Sequence, residues 1–367
     1  MVHTREQMIF DRDKQALILD GKTLTAQDIA AIKSTDVEMP LHDIFDFLQR
    51  WFDPSDYITV HTSGSTGTPK TLQVEKSKMM QSARLTCEYL GLKEGDSALL
   101  CMNLRYIGAM MVVVRSLVCG LNLIVKQPSG HPLADIETSP TFAAMVPMQI
   151  YNTLENAAER DTLEKIRTLI IGGGSIDPKL ETEIKDLRGN IYSTYGMTET
   201  LSHIALRRLN GEKASMHYMP FETVHLSVAN DGTLVIDAPL VCSQTLYTND
   251  IARLYPDGSF VVLGRKDNTI NSGGIKIQPE EDERLLQPII DVPFAITSVP
   301  DEKLGEAAIL LLEPVSEEKL DSIKAAMRSI LPPYHVPHTI MTIQKLPLTG
   351  NGKINRKRCR EIATELI

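Results

Sequence analysis

Residues Thr62 to Lys70 read TSGSTGTPK, nine positions that hold five hydroxyl side chains, two glycines and one lysine. Such a stretch offers backbone N–H groups, hydroxyls and a cation to a polyphosphate. A Walker A loop is the competing reading, but its second glycine would fall on Pro69, and the TLQVE that follows Lys70 has strand character. Pro69 also turns Thr68 away from helical angles, so the helix N-terminus that a Walker A loop needs cannot begin there. Downstream, STYGMTET (Ser193 to Thr200) follows a strand-like NIY, a place where open α/β sheets bind ligands. Its Glu199 suits Mg²⁺, which takes one or two carboxylates together with substrate phosphates. GGGS (Gly172 to Ser175) follows Leu169, Ile170 and Ile171, and three glycines let backbone approach a flat ring closely. In LPLTGNGKINR, a Gly-Asn-Gly around Lys353 gives an open loop able to carry a cation into a crowded site.

The elements that must hold these motifs alternate in type. Strand-like runs at Ser97–Met102, Leu121–Lys126, Thr141–Pro147 and Thr168–Gly174 are separated by helix-like segments at Lys76–Leu90, Ile107–Val118, Met148–Ala158 and Pro178–Leu187. That rhythm predicts an α/β fold with a mostly parallel sheet layered with helices. From about Glu222 the chain reads as antiparallel strand pairs turned at Asp231-Gly232 and Asp257-Gly258. After Gly264, helix-like Pro279–Leu286 and Glu317–Ile330, three strands and a last helix from about Asn355 predict a small α+β unit.

Composition narrows the function. The 367 residues are 43% hydrophobic and 23% charged, with a net charge of −9. An acidic chain with one Trp and 5% aromatics lacks the cationic surface and stacking platforms of a nucleic-acid binder. Five scattered cysteines without a CxxC pair indicate neither a disulfide framework nor a zinc site and fit a reducing compartment. The charged N-terminus, MVHTREQMIFDRDK, does not read as an export signal, so a cytoplasmic protein is expected. Ile107 to Val125 is mostly apolar, but Arg115 near its centre and Gly120 with Asn122 favour a buried helix and strand over a membrane span.

In this order and company, the motifs resemble those of the acyl-adenylate-forming enzymes, which include acyl-CoA synthetases, luciferases and peptide-synthetase adenylation domains. The resemblance runs from about Tyr57 to the end of the chain. It implies that Thr62, Ser63, Gly64, Ser65, Thr66, Gly67, Thr68 and Lys70 hold ATP phosphates and that Gly172, Gly173, Gly174, Tyr195, Gly196 and Met197 surround adenine. Thr198 would contact phosphate, Glu199 would help hold Mg²⁺, and Asp250 and Arg265 would bind ribose, although relatives more often have Gly at Asn249. Lys353 matches the catalytic lysine of adenylation, and Asp267 falls on the interdomain hinge. The implied organisation is a large domain over 1–264, a hinge at 265–269 and a small mobile domain over 270–367. SGGIKI, with Gly273, Gly274 and Lys276, resembles the segment lining the thiol tunnel.

The chemistry this implies needs no protein nucleophile. An ionised carboxylate attacks the α-phosphate of ATP, and the protein manages negative charge by positioning and electrostatic stabilisation. With no carrier-attachment motif in the sequence, free coenzyme A is the expected thiol. Arg356, Lys357, Arg358 and Arg360 add to the positive charge near Lys353 but read first as a solvated helix face. TETLSHIALRRLNG resembles the continuation in o-succinylbenzoate-CoA ligases of menaquinone biosynthesis. That acid has a second carboxylate, which needs a cation or several donors in an otherwise apolar pocket. Ser202 and His203 are candidates for this pocket, with Arg105 as its cation; Tyr106 stands where relatives often have histidine. Another aryl- or fatty-acyl-CoA ligase, a stand-alone carrier-loading enzyme and a non-catalytic nucleotide binder are the alternatives. Only 61 residues precede Thr62, fewer than in relatives, so a second subunit is expected to cover the face exposed there. Incubation with ATP, Mg²⁺ and a suitable acid is expected to release AMP and pyrophosphate; ADP, detected by chromatography, would restore the Walker-type reading.

Overall fold

Four-residue runs such as Phe142–Met145 and Thr168–Ile171 are buried at every position, the pattern of strands covered on both faces of a parallel sheet. The computed structural model describes residues 11–61, 71–349 and 354–367. It arranges nine strands in the order Met219–Pro220, His203–Arg208, Asn190–Gly196, Thr168–Ile171, Phe142–Met145, Ser97–Leu100, Asn122–Val125, Ala16–Leu19 and Lys22–Thr25. The strands from Asn190–Gly196 to Ala16–Leu19 run parallel. Antiparallel strands close both edges. The expected α/β class is therefore correct.

Contacts divide the chain into two units. The first comprises Met1–Gly173, Glu183–His225 and Asp237–Thr245; the second comprises Gly174–Thr182, Leu226–Ile236 and Leu246–Ile367. In the first, the apolar stretch around Arg115 is a helix, Ile107–Cys119, followed by the strand Asn122–Val125. No helix among the described residues is long and apolar enough to cross a membrane. The single helix expected over 148–158 is two, Pro147–Glu155 and Ala157–Glu164. Asn156 divides them because its Oδ1 accepts from the N–H groups of Ala158 and Glu159, a side-chain cap that starts a new helix. Leu41–Phe52 is a helix that the strand-helix alternation does not predict; Ile44, Phe45, Phe47, Leu48 and Trp51 give it one buried face.

Strands Tyr57–His61 and Thr71–Glu75 pair antiparallel, with His61 opposite Thr71. TLQVE is thus a strand, and no helix follows Lys70 as a Walker A loop would demand. In the second unit, His225–Val228, Thr233–Asp237, Leu246–Leu254 and Phe260–Arg265 form a four-stranded sheet. A second sheet is centred on Gly305–Leu312, which pairs antiparallel with Phe294–Asp301 and parallel with Thr339–Thr342. Side chains of a strand alternate between faces. Accordingly Ala308, Leu310 and Leu312 join one core with Leu286, Ile323 and Met327, whereas Ala307, Ile309 and Leu311 join another with Cys359 and Ala363.

The strand that carries STYGMTET is set in place by a buried asparagine. Asn210 Oδ1 accepts from Ile191 N at 3.1 Å and Arg208 Nε at 2.9 Å, while its Nδ2 donates to the carbonyls of Leu187 and Gly189 at 2.7 and 3.2 Å. The amide thus uses its full complement of donors and acceptors. Asn210→Ala would orphan several of these groups and is expected to destabilise the fold by roughly 2–4 kcal/mol, read as a lower urea midpoint.

Candidate active site

The phosphate-loop residues Thr62, Ser63, Gly64, Ser65, Thr66, Gly67, Thr68 and Lys70, and Lys353, lie outside the described residues. The other motifs are carried by well-formed elements. In the first unit, Gly172 and Gly173 follow the Thr168–Ile171 strand, and Met197, Thr198 and Glu199 follow its parallel neighbour Asn190–Gly196. Parallel pairing brings the carboxyl ends of both strands to one edge, the usual ligand-binding edge of such sheets. A Cβ on Gly196 would collide with the Ser202 and His203 backbone, so that position requires glycine, and one on Gly172 would displace the Thr194 side chain. Tyr195 packs its ring 5.9 Å from that of Tyr218. Glu199 is exposed and has no hydrogen bond or ion pair among the described residues, leaving its carboxylate available for one Mg²⁺ shared with phosphate oxygens.

After Thr-Glu-Thr the backbone bends sharply. Leu201 has φ +66 and ψ −38, and Ser202 N donates to Thr200 O at 2.7 Å, which closes a γ-turn on a non-glycine residue. Such a conformation is strained, and here the buried Thr200 side chain holds it by accepting from Met197 N and donating to Ser202 O. The turn delivers Ser202 and His203 into the interior. Arg115 Nη2 donates to Ser202 Oγ at 2.7 Å and reaches Thr86 Oγ1 at 3.4 Å, while the His203 ring lies 3.1 Å from Thr86 Oγ1 and 3.3 Å from Ser202 Oγ.

Arg115 is 1% exposed and forms no ion pair among the described residues; its Nε is buried without a hydrogen-bond partner. Burial pulls its pKa down to about 10, still well above neutrality, so the guanidinium remains charged. Burial first, and then the Arg115 charge, hold the His203 imidazole well below its usual range, so it is neutral. The cluster is cationic, and its other members are neutral. The sequence points to Arg105 as the pocket cation, whereas the structure joins Ser202 to Arg115. Arg105 and Tyr106 are exposed at the start of the Ile107–Cys119 helix, Tyr106 by 54%. The signal for Arg115 lies in the sequence: a charge at the centre of an apolar helix, evidence against a membrane span and equally evidence for a buried polar partner set.

In the second unit, Arg265 Nη1 donates to Asp250 Oδ1 at 2.9 Å and its Nη2 to Asp267 Oδ2 at 3.2 Å. Asn249 Nδ2 donates to the same Asp267 carboxylate at 3.2 Å. Burial alone would lower the Arg265 pKa, but the two carboxylates raise it overall. The structure thus gathers the ribose candidates Asp250 and Arg265 with the hinge candidate Asp267. Gly273 and Gly274, at φ +58 and +85, turn the chain between Ile270–Ser272 and Ile275–Ile277, where Lys276 is exposed. Of the basic residues after Lys353, Arg358 pairs with Glu361 and Glu365, and Arg360 with Glu306, as a solvated helix face would. Arg356 departs from that expectation: it reaches inward to Glu283 at 2.6 Å.

A family model described as AMP-binding enzyme matches residues 5–238. The chain belongs to the AMP-binding enzyme family. Among its relatives, the 2-succinylbenzoate-CoA ligase of Listeria monocytogenes serotype 4b (strain F2365) is 25% identical over 95% of this chain and 78% of its own length. The acyl-CoA synthetase (AMP-forming)/AMP-acid ligase II-like protein from Dyadobacter fermentans DSM 18053 is 32% identical, with a TM-score of 0.63 over 91% of this chain and 97% of its own. The o-succinylbenzoate coenzyme A synthetase of Bacillus subtilis, solved with ATP and magnesium, shares the fold at a TM-score of 0.66 and 23% identity, over 82% of this chain and 68% of its own.

In this AMP-binding enzyme the depressed pKa of His203 gives stability a defined pH dependence. The unfolded chain takes up a proton near pH 6.5, which native His203 resists, so stability is fully present above that pH and falls as pH drops below it. Between pH 6.5 and 5, unfolding free energy is expected to fall more steeply than in His203→Gln, by up to about 1.4 kcal/mol per pH unit. Parallel urea titrations of the two proteins check this.

Proposed function

We propose that this AMP-binding enzyme is an AMP-forming acid-CoA ligase and that its acid is o-succinylbenzoate. The observation that carries the choice of acid is Arg115, a fully buried cation hydrogen-bonded to a hydroxyl and facing neutral partners in the Ser202–His203 cluster. A buried charge without a counter-charge is costly, and an acid with a second, unreacting carboxylate supplies one. The names of the Listeria and Bacillus subtilis relatives agree with this substrate.

The reaction then follows from charge management. The reacting carboxylate oxygen forms a bond to the α-phosphorus while the bond to the bridging oxygen of pyrophosphate breaks. Lys353 neutralises the incoming oxygen and the α-phosphate, Lys70 and the hydroxyl loop stabilise the leaving pyrophosphate, and Thr198 contacts phosphate. Glu199 would hold Mg²⁺, which offsets phosphate charge when bound. Tyr195 with the Gly172–Gly174 and Gly196–Met197 backbone surrounds adenine, and Asp250 with Arg265 holds ribose. The small domain over 270–367 then turns about the hinge at Asp267 and withdraws Lys353. The coenzyme A sulfur, approaching past Gly273, Gly274 and Lys276, attacks the acyl carbon and AMP leaves.

Mass spectrometry of the products from ATP, Mg²⁺, coenzyme A and o-succinylbenzoate is expected to show o-succinylbenzoyl-CoA and AMP; a panel of other acids, with and without coenzyme A, separates the remaining ligase readings. In Arg115→Met the KM for o-succinylbenzoate is expected to rise about 10- to 150-fold, the loss of one charged hydrogen bond, with KM for ATP unchanged. Unchanged KM and kcat for o-succinylbenzoate in both Arg115→Met and His203→Ala would refute the assignment of this cluster to the acid.

A further inference from the structure

Thr86 lies in the Lys76–Leu90 helix, fully buried beside Arg115 and His203. Its hydroxyl is the meeting point of groups from distant parts of the chain. Oγ1 lies 3.1 Å from the Ser82 carbonyl oxygen one turn back, 3.1 Å from His203 Nε2 and 3.4 Å from Arg115 Nη2. The other ring nitrogen, His203 Nδ1, is 3.3 Å from Ser202 Oγ, which accepts from Arg115 Nη2 at 2.7 Å. Phe221 packs against the imidazole, with ring centroids 5.7 Å apart.

A hydroxyl carries one hydrogen and a neutral imidazole carries one, so the directions of these bonds can be counted. Thr86 gives its hydrogen to Ser82 O, the bond a helical threonine makes with the preceding turn. Its oxygen is then left to accept, from Arg115 and from a protonated His203 Nε2. Nδ1 is therefore bare and takes the Ser202 hydrogen, while Ser202 Oγ accepts from Arg115. Every hydrogen of Thr86, Ser202 and the imidazole then has an acceptor. With the proton on Nδ1 instead, Ser202 Oγ would face two donors and its own hydrogen would have no acceptor in the cluster, a costly arrangement where water is scarce.

We propose that Thr86 is a positioning residue for the acid site: by accepting from both Arg115 and His203 it aims the guanidinium and keeps the imidazole proton on Nε2, so that the Ser202 hydrogen is committed to Nδ1 and the acid's second carboxylate is met by Arg115. This rests on the choice of acid made above. Two variants of the full chain test it. Thr86→Val keeps the volume and loses the acceptor, whereas Thr86→Ser keeps the hydroxyl. Nitrogen NMR of isotope-labelled protein reads the tautomer directly, because protonated and bare ring nitrogens resonate far apart; the His203 signals are those missing from His203→Gln. In the unmodified chain the proton is expected on Nε2. In Thr86→Val it is expected to move to Nδ1, and KM for o-succinylbenzoate to rise about 3- to 10-fold, the loss of one neutral hydrogen-bond acceptor, with KM for ATP unchanged. Thr86→Ser is expected to match the unmodified chain in both readouts. A proton on Nδ1 in the unmodified chain, an unmoved proton or an unchanged KM in Thr86→Val, or a Thr86→Ser that behaves like Thr86→Val would each overturn the proposal. The expected tautomers in all three proteins, with no o-succinylbenzoyl-adenylate formed by the unmodified chain, would overturn the choice of acid instead and leave the role of Thr86 in holding the proton intact.

Discussion

A guanidinium keeps its charge when it is buried, and Arg115 places one inside the apolar Ile107–Cys119 helix, where it is 1% exposed. Everything packed around it must answer that charge or tolerate it. Thr86 and Ser202 turn hydroxyl oxygens toward it, and His203 stays neutral beside it. Ser202 reaches that position because Leu201 accepts a strained turn, and the turn is possible because Gly196 leaves room for the returning chain. One desolvated cation thus fixes the arrangement of the hydroxyls and the imidazole around it.

The same economy of charge governs the second unit. Asp250 and Asp267 share Arg265, so the residues matched to ribose binding and the residue matched to the hinge form one hydrogen-bonded group. Gln278 Nε2 donates to the Arg265 carbonyl, which fixes the backbone at the same point. A change at Asp267 therefore acts directly on the arginine beside it. Glu283 and Arg356 repeat the device deeper in the unit, where burial pushes the Glu283 carboxyl up and the guanidinium opposes that shift.

Much of the architecture was legible in local pattern. Lys76–Leu90, Pro279–Leu286 and Glu317–Ile330 form helices with the expected bounds, since each combines apolar periodicity with an interpretable start or stop, such as Gly91 in the left-handed region after the first. The Asp-Gly turns and the buried parallel strands were equally plain. Asn156 was harder, because a single capping side chain divides a stretch whose composition reads as one helix. The N-terminal strands Ala16–Leu19 and Lys22–Thr25 are short, and one of them is mostly exposed, so they carry little pattern.

The sequence by itself determined the chemistry class, because the motifs matched to phosphate, ribose and metal are short segments whose residue types and order carry the resemblance. It also determined the alternation of strands and helices that brings those segments to strand ends. The tertiary structure alone decided which charges are partnered. Arg115 reads as buried from the apolar helix around it, but only the fold brings it to Ser202, and Arg356 looks like its basic neighbours but turns inward to Glu283. Partnering depends on contacts between residues tens of positions apart and on the desolvation that burial imposes, and neither is written in local spacing.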